Sequence, residues 1–144
     1  MPERVTRTFT FDVETAERCV FIDITEQVRR TLVDAEVREA VVHVFVPHTT
    51  AGVTIQENAD PDVRHDLLAK LDRLVPKDEP YYRHAEGNSD SHLKTSLMGN
   101  AATVFGRGNR LQLGRWQCIY LAEFDGPRTR QVMVKIIGEY SHDG

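Results

Sequence analysis

Hydrophobic and polar positions alternate through the first part of the chain. Val5, Phe9, Phe11 and Val13 share one parity, while Thr6, Thr8, Thr10 and Asp12 share the other. That period of two predicts a half-buried strand over Arg4–Val13. Arg18–Ile24 reads as a second strand. Thr25 then reads as a helix N-cap, and Glu26 to about Val37 as a short amphipathic helix with Val28, Leu32 and Val33 inward. Ala40–Val46 has β-branched and aromatic residues at both parities, which predicts a central strand covered on both faces. Pro47 ends it and leaves His48, Thr49 and Thr50 at its mouth. Ala51–Gln56 reads as another strand, with Val53 and Ile55 on one face.

Asp60-Pro61 is a strong helix start: a capping side chain is followed by proline in the first turn. Val63, Leu67, Leu71 and Leu74 form its apolar stripe up to Pro76. Pro76–Ser91 is polar and loop-like, and a short helix follows over Leu93–Met98. Thr103–Phe105 and Arg110–Leu113 form a hairpin through Gly106–Asn109. Trp116–Phe124 and Gln131–Gly138 are joined at Asp125-Gly126-Pro127. The sum is an α+β fold: one strand-rich domain over 1–144, with antiparallel sheets forming a sandwich and two or three helices.

Composition narrows the field. The 144 residues suffice for one real core, are 40% hydrophobic and 28% charged, and carry a net charge of −4. Without a basic excess, nucleic acid is not the expected partner. No stretch approaches the roughly 20 apolar residues of a membrane span, and the opening residues show no hydrophobic signal region. Cys19 and Cys118 form neither a disulfide framework nor a metal pair. A cytoplasmic home is the expectation.

Five of the six histidines fall between positions 43 and 92. His43 reads as a buried neutral imidazole, and His142 as a tail residue without a role. His65, off the leucine stripe, is either plain surface or faces a site. His48, His84 and His92 lie at a strand end and in the polar loop, where side chains can converge outside the core. Three imidazoles with an open position make the recurring catalytic zinc arrangement. Glu86 and Asp90 lie between two of them as orienting groups, a base or further ligands; a solvated acidic loop is the competing reading. The His48-Thr49-Thr50-Ala51-Gly52 run, with Lys94, Arg107 and Arg110, suits an anion. Gln117 and Glu123 either line a site or bond a sheet edge. Trp116 suits core or interface. A serine triad through Ser89 or Ser91 lacks the strand–turn–helix elbow it would need.

Four blocks carry a resemblance. They are His48-Thr49-Thr50-Ala51, then Glu57-Asn58-x-Asp60-Pro61-x-Val63-x-His65-Asp66, then His84-x-Glu86-Gly87-x-x-Asp90-Ser91-His92-x-Lys94, then Gly108-x-Arg110-x-Gln112-x-Gly114-x-Trp116-Gln117. In this order they resemble the YjbQ family, also called the secondary thiamine-phosphate synthase family, over nearly the whole chain. The resemblance implies a small strand-rich α+β fold, usually assembled as a homotrimer, with a histidine-rich metal site in a cleft near the subunit boundary. It also implies a weak thiamine-phosphate synthase activity, joining a pyrimidine diphosphate to a thiazole phosphate with loss of pyrophosphate.

On that basis His48, His84 and His92 are the expected ligands of a divalent ion, zinc first, with Asp90 or His65 able to replace one. Magnesium would suit a diphosphate substrate. Thr49, Thr50, Asn58, Lys94, Arg110 and Gln117 are expected to bind substrate, and His65 or Glu86 to assist catalysis. Two other readings use the same cluster: a metal-dependent hydrolase of a phosphorylated small molecule, and a non-catalytic trimeric protein that binds a small anion.

Overall fold

A computed structural model describes residues 3–140. They form eight strands and three helices: β1 Arg4–Glu14, β2 Val20–Asp23, α1 Thr25–Ala35, β3 Val37–Phe45, β4 Ala51–Glu57, α2 Pro61–Leu74, α3 Ser89–Met98, β5 Ala101–Arg107, β6 Arg110–Leu111, β7 Gln117–Glu123 and β8 Thr129–Tyr140. The large sheet has the order β1-β8-β3-β5-β6 and the small sheet β2-β7-β4. Every pairing is antiparallel. The fold is a strand-rich α+β domain, as the alternation implied. His142 lies outside the described residues.

The inner face of the large sheet contributes Val42 and Val44 from β3, Val104 from β5, and Val132, Val134 and Ile136 from β8. They pack on Val28, Leu32 and Ala35 of α1 and on Ile119 and Leu121 of β7. The even residues of β7 point the other way. Cys118, Tyr120 and Ala122, with Phe21 and Phe124, meet Leu67, Leu68 and Leu71 of α2 and Met98 of α3. The strand covered on both faces is therefore β7, not β3. Although β3 is central in its sheet, its outer residues His43 and Phe45 are exposed. The buried reading of His43 is corrected accordingly: its Nδ1 lies 3.0 Å from the Thr103 hydroxyl on a solvent-facing surface. Apolar character at both parities marked a half-covered sheet here, because nothing among the described residues covers that face.

The helix ends also differ from expectation. Thr25 is the first residue of α1 rather than its cap. Asp23 Oδ1 accepts its N–H at 2.9 Å, while its own hydroxyl accepts the Ile119 N–H at 2.8 Å and ties the helix start to β7. The helix stops at Ala35 because Glu36 turns left-handed at φ 55°, so Val37 opens β3. In α2 the Asp60 side chain caps the Asp62 N–H at 2.9 Å, with Pro61 in the first turn. Leu74 is 61% exposed, and Leu68 replaces it on the buried face. α3 starts at Ser89, four residues before the apolar signal at Leu93, because polar contacts rather than apolar ones hold its first turn.

Those contacts centre on Asp90, which is fully buried. Arg18 grips its carboxylate with two bonds, 3.0 and 2.8 Å, and Lys94 one turn along approaches to 3.3 Å. Lys94 also donates to Asp72 of α2 at 2.6 Å, and Ser91 donates to the Phe124 carbonyl at 2.7 Å. At the other end of α3, the Gly99 carbonyl accepts the Val53 N–H and abuts Gly52, where a Cβ would collide with it. No described helix is long and apolar enough to cross a membrane.

Two expectations follow. Burial alone would raise the Asp90 carboxyl, but Arg18 and then Lys94 outweigh it and hold it below the ordinary aspartate value of 3.8. A depressed carboxyl contributes stability above its unfolded pKa and loses it as pH falls through the folded one. Asp90→Asn is expected to cost about 3 kcal/mol in urea unfolding at pH 7, by stranding two cations. The gap to wild type should narrow below about pH 4; a gap constant down to pH 2.5 would contradict it. Gly52→Ala is expected to cost about 2 kcal/mol by forcing β4 off Gly99, read as a lowered unfolding midpoint.

Candidate functional site

Two of the expected ligands meet. His92 lies on the second turn of α3, and His84 in the loop before it. Their rings stand edge to face, 5.3 Å between centroids at an interplanar angle of 81°. The loop is shaped by local bonds. The Tyr82 hydroxyl donates to the Pro76 carbonyl at 2.9 Å, and the Gly87 N–H donates to the His84 carbonyl at 3.2 Å, with Gly87 at φ 70°. The imidazoles border a cavity of about 580 Å³ shared with Tyr81, Tyr82, Arg83, Ser89 and Leu93. Tyr81 and Tyr82 are themselves edge to face at 5.2 Å. Glu86 Oε2 lies 3.7 Å from His84 Nε2.

His48 does not join them. It lines a second cavity of about 500 Å³ with Phe45, Pro47, Thr49, Arg128 and Arg130. Its Nε2 accepts the Gln131 N–H at 2.9 Å. Burial holds its imidazole below the usual histidine range, and the charge of Arg130 adds to this. The loop carrying it is clamped by Asn100, whose amide nitrogen lies within 3.0, 2.8 and 3.1 Å of the Val46, His48 and Ala51 carbonyls. Beneath it, Arg130 Nε donates to Glu123 at 2.9 Å, and Nη2 donates to the Thr50 hydroxyl at 2.8 Å. Among the described residues, no group of three or more histidine, cysteine or acidic side chains converges.

The remaining expected residues are scattered. Thr49 and Thr50 precede β4, whereas Asn58 follows it, about 20 Å away for a strand of seven residues. The Asn58 amide is engaged, donating to Asp23 at 2.7 Å and accepting from the Tyr120 hydroxyl at 2.9 Å. Gln117 accepts the Gly114 N–H at 2.8 Å and pins a turn. Arg110 is exposed on β6. Lys94 is 1% exposed and tied to Asp72 and Asp90, so its charge holds two helices together. His65 is exposed on α2, 3.0 Å from Asp66.

Sequence reasoning overlooked Arg83, Asn100, Arg128 and Arg130. Arg130 was legible, since it has the inward parity of Val132, Val134 and Ile136 and a buried charge needs a partner. Glu123 supplied that partner from the neighbouring apolar strand. Asn100 and Arg128 carry no such signal.

Comparison with known proteins places this geometry in context. The family model for UPF0047 protein YjbQ-like matches residues 9–139. UPF0047 protein MJ1081 of Methanocaldococcus jannaschii is 44% identical over 91% of this chain and 94% of its own. UPF0047 protein YugU of Bacillus subtilis is 43% identical over 90% and 98%. A crystal structure of a YjbQ/UPF0047 protein from Clostridium acetobutylicum superposes with a TM-score of 0.86 at 48% identity, covering 89% of this chain and 98% of that one. The sequence relatives and the shared fold agree, and the chain belongs to the YjbQ/UPF0047 family.

Proposed function

We propose that His84 and His92 hold a divalent metal ion, zinc first, and that the cavity they border works on a phosphorylated small molecule. The single observation behind this reading is the spacing of the two rings. Imidazoles bound to one tetrahedral ion at about 2.1 Å would set their centroids about 5 Å apart, and these are 5.3 Å apart. Two nitrogens are one fewer than the three protein ligands of a catalytic zinc site, and the remaining positions would be open to water and substrate oxygens. Glu86 is the acidic group near His84, suited to orienting that ring. His48, whose Nε2 is already bonded, stands outside this pair. When bound, the ion supplies a Lewis acid for phosphoryl oxygens, and magnesium would serve a diphosphate in the same way.

The reaction proposed is transfer of the thiamine-phosphate synthase kind. A pyrimidine carbon loses pyrophosphate and bonds to the nitrogen of a thiazole phosphate. The C–O electron pair leaves with pyrophosphate, and the nitrogen lone pair forms the new C–N bond. Arg83 would meet the charge that grows on the leaving group. Tyr81 and Tyr82 would cover the heterocycle and exclude water. Lys94 would hold α3, and with it His92, rather than touch phosphate. Assembly as a homotrimer is part of the proposal, because Phe45, Phe105 and Ile137 expose an apolar patch on the outer face of the large sheet, 45%, 63% and 43% exposed.

Zinc-loaded protein given both thiamine precursors should release pyrophosphate, and only when both are present. His84→Ala and His92→Ala should each lose at least 90% of bound zinc and of turnover. Release from the pyrimidine diphosphate alone would replace the transferase by a hydrolase, and thermal stabilisation without turnover would leave a binding protein. Light scattering should give three times the 16.4 kDa chain mass, and Phe105→Glu should shift it to the monomer. A monomeric wild type would remove the trimer.

A further inference from the structure

The His48 cavity carries an inference that stands whether or not the metal reading does. Arg130 is 2% exposed. Its Nε and Nη2 are spent on Glu123 and Thr50, but Nη1 has no partner among the described residues. Among the described residues the buried side-chain atoms left unpaired are Asn88 Oδ1 and Thr95 Oγ1, both outside this cavity, so Arg130 Nη1 is not sealed in. The cavity that Arg130 lines is the open space beside it. A largely buried guanidinium whose spare N–H donors open on a cavity is a place for an acceptor.

The other polar groups of this wall also donate. Because His48 Nε2 accepts the Gln131 N–H, the neutral ring carries its proton on Nδ1 and offers a donor there. The Thr49 hydroxyl is exposed and bonds to nothing among the described residues. Arg128 commits Nε and Nη2 to Asp125, at 2.8 and 3.0 Å, and keeps Nη1. Glu123 and Asp125 are bound to these arginines, and no carboxylate is among the residues that line the cavity.

We infer that this cavity binds the phosphate or pyrophosphate group of a small molecule. Arg130 Nη1 is the buried anchor, with His48 Nδ1, Thr49 and Arg128 around it. Donors on several side chains suit the spread oxygens of phosphate better than a planar carboxylate. A volume of about 500 Å³ leaves room for the organic part of the molecule. The His84–His92 cavity is a separate one, so the chain carries two distinct places for such ligands.

The test uses inorganic pyrophosphate as the probe, titrated calorimetrically into the full chain, with the His48 ring followed by nitrogen-15 NMR. The free protein should show His48 as the Nδ1–H tautomer, and pyrophosphate should shift its ring signals. Arg128→Gln and Thr49→Val should each weaken binding by roughly fivefold with unchanged unfolding midpoints. Arg130→Lys keeps a charge for Glu123 but removes the spare donors, and should weaken it further. Should that variant not fold, the two surface variants and the His48 signals decide. His84→Ala and His92→Ala should leave this binding within about twofold. Unmoved His48 signals, unaltered affinity in the surface variants, or binding lost with His92 would each overturn the inference.

Discussion

The carboxylate of Glu123 is wholly enclosed, and four strands or their ends are held by what it must bond to. Arg130 of β8 meets it from the large sheet, and the Thr15 hydroxyl donates to it from the end of β1 at 2.8 Å. The Phe124 and Asp125 N–H groups close over it at 3.1 and 3.0 Å. Arg130 then reaches Thr50 at the start of β4. An uncompensated charge here would cost about 3–5 kcal/mol. The two sheets are joined at this corner by electrostatic necessity, where elsewhere they meet through apolar packing such as Val42 and Val44 with Ile119 and Leu121.

The neighbouring residues carry this constraint to α3. Phe124 presents its N–H to Glu123 and its carbonyl to Ser91. Asp125 accepts from Arg128 on the cavity side and from Asn88 at 2.8 Å on the helix side. Two buried charge clusters, one around Glu123 and one around Asp90, are thus a single peptide segment apart. The first sets the floor of the His48 cavity. The second fixes the helix that presents His92. Neither cavity can shift far without disturbing the segment 123–125.

Much of the fold was legible because period-two alternation reports burial directly. β1 shows this, while the start of α2 was legible for another reason, the Asp60 cap with proline in the first turn. The alternation failed where burial and hydrophobicity part. Val41, His43 and Phe45 look like an inward face but have no cover among the described residues, and β7, buried on both sides, announces itself only as an apolar run from Cys118 to Ala122 that Glu123 interrupts before Phe124. α3 was read late because Asp90, Ser91 and Lys94 look like solvated loop until Arg18, some 70 residues earlier in the chain, supplies the partner. Polar burial is decided by distant residues, so a local pattern cannot reveal it. The sequence offered His48, His84 and His92 as one converging set with no tight ligand spacing among them; that only His84 and His92 meet, and that His48 stands apart, needed the path of the chain through β4 and α3.

The cations show how the same residue types divide between architecture and chemistry. Lys94 looked like a phosphate ligand because it lies two residues after His92. On a helix, two residues is about 200° of rotation, which turns it away from the ring. There it finds Asp72 and Asp90, and its charge is consumed. Arg130 lies on the inward parity of a strand of valines and isoleucine, and its planar fork has more donors than Glu123 and Thr50 use. A lysine ammonium in that position would be satisfied by the same partners, with nothing left to offer. An arginine buried beside one carboxylate holds the core together through one edge of its guanidinium and keeps the other edge for whatever enters the cavity. This difference in donor geometry, rather than net charge, separates the cation that builds this fold from the one that can serve a ligand.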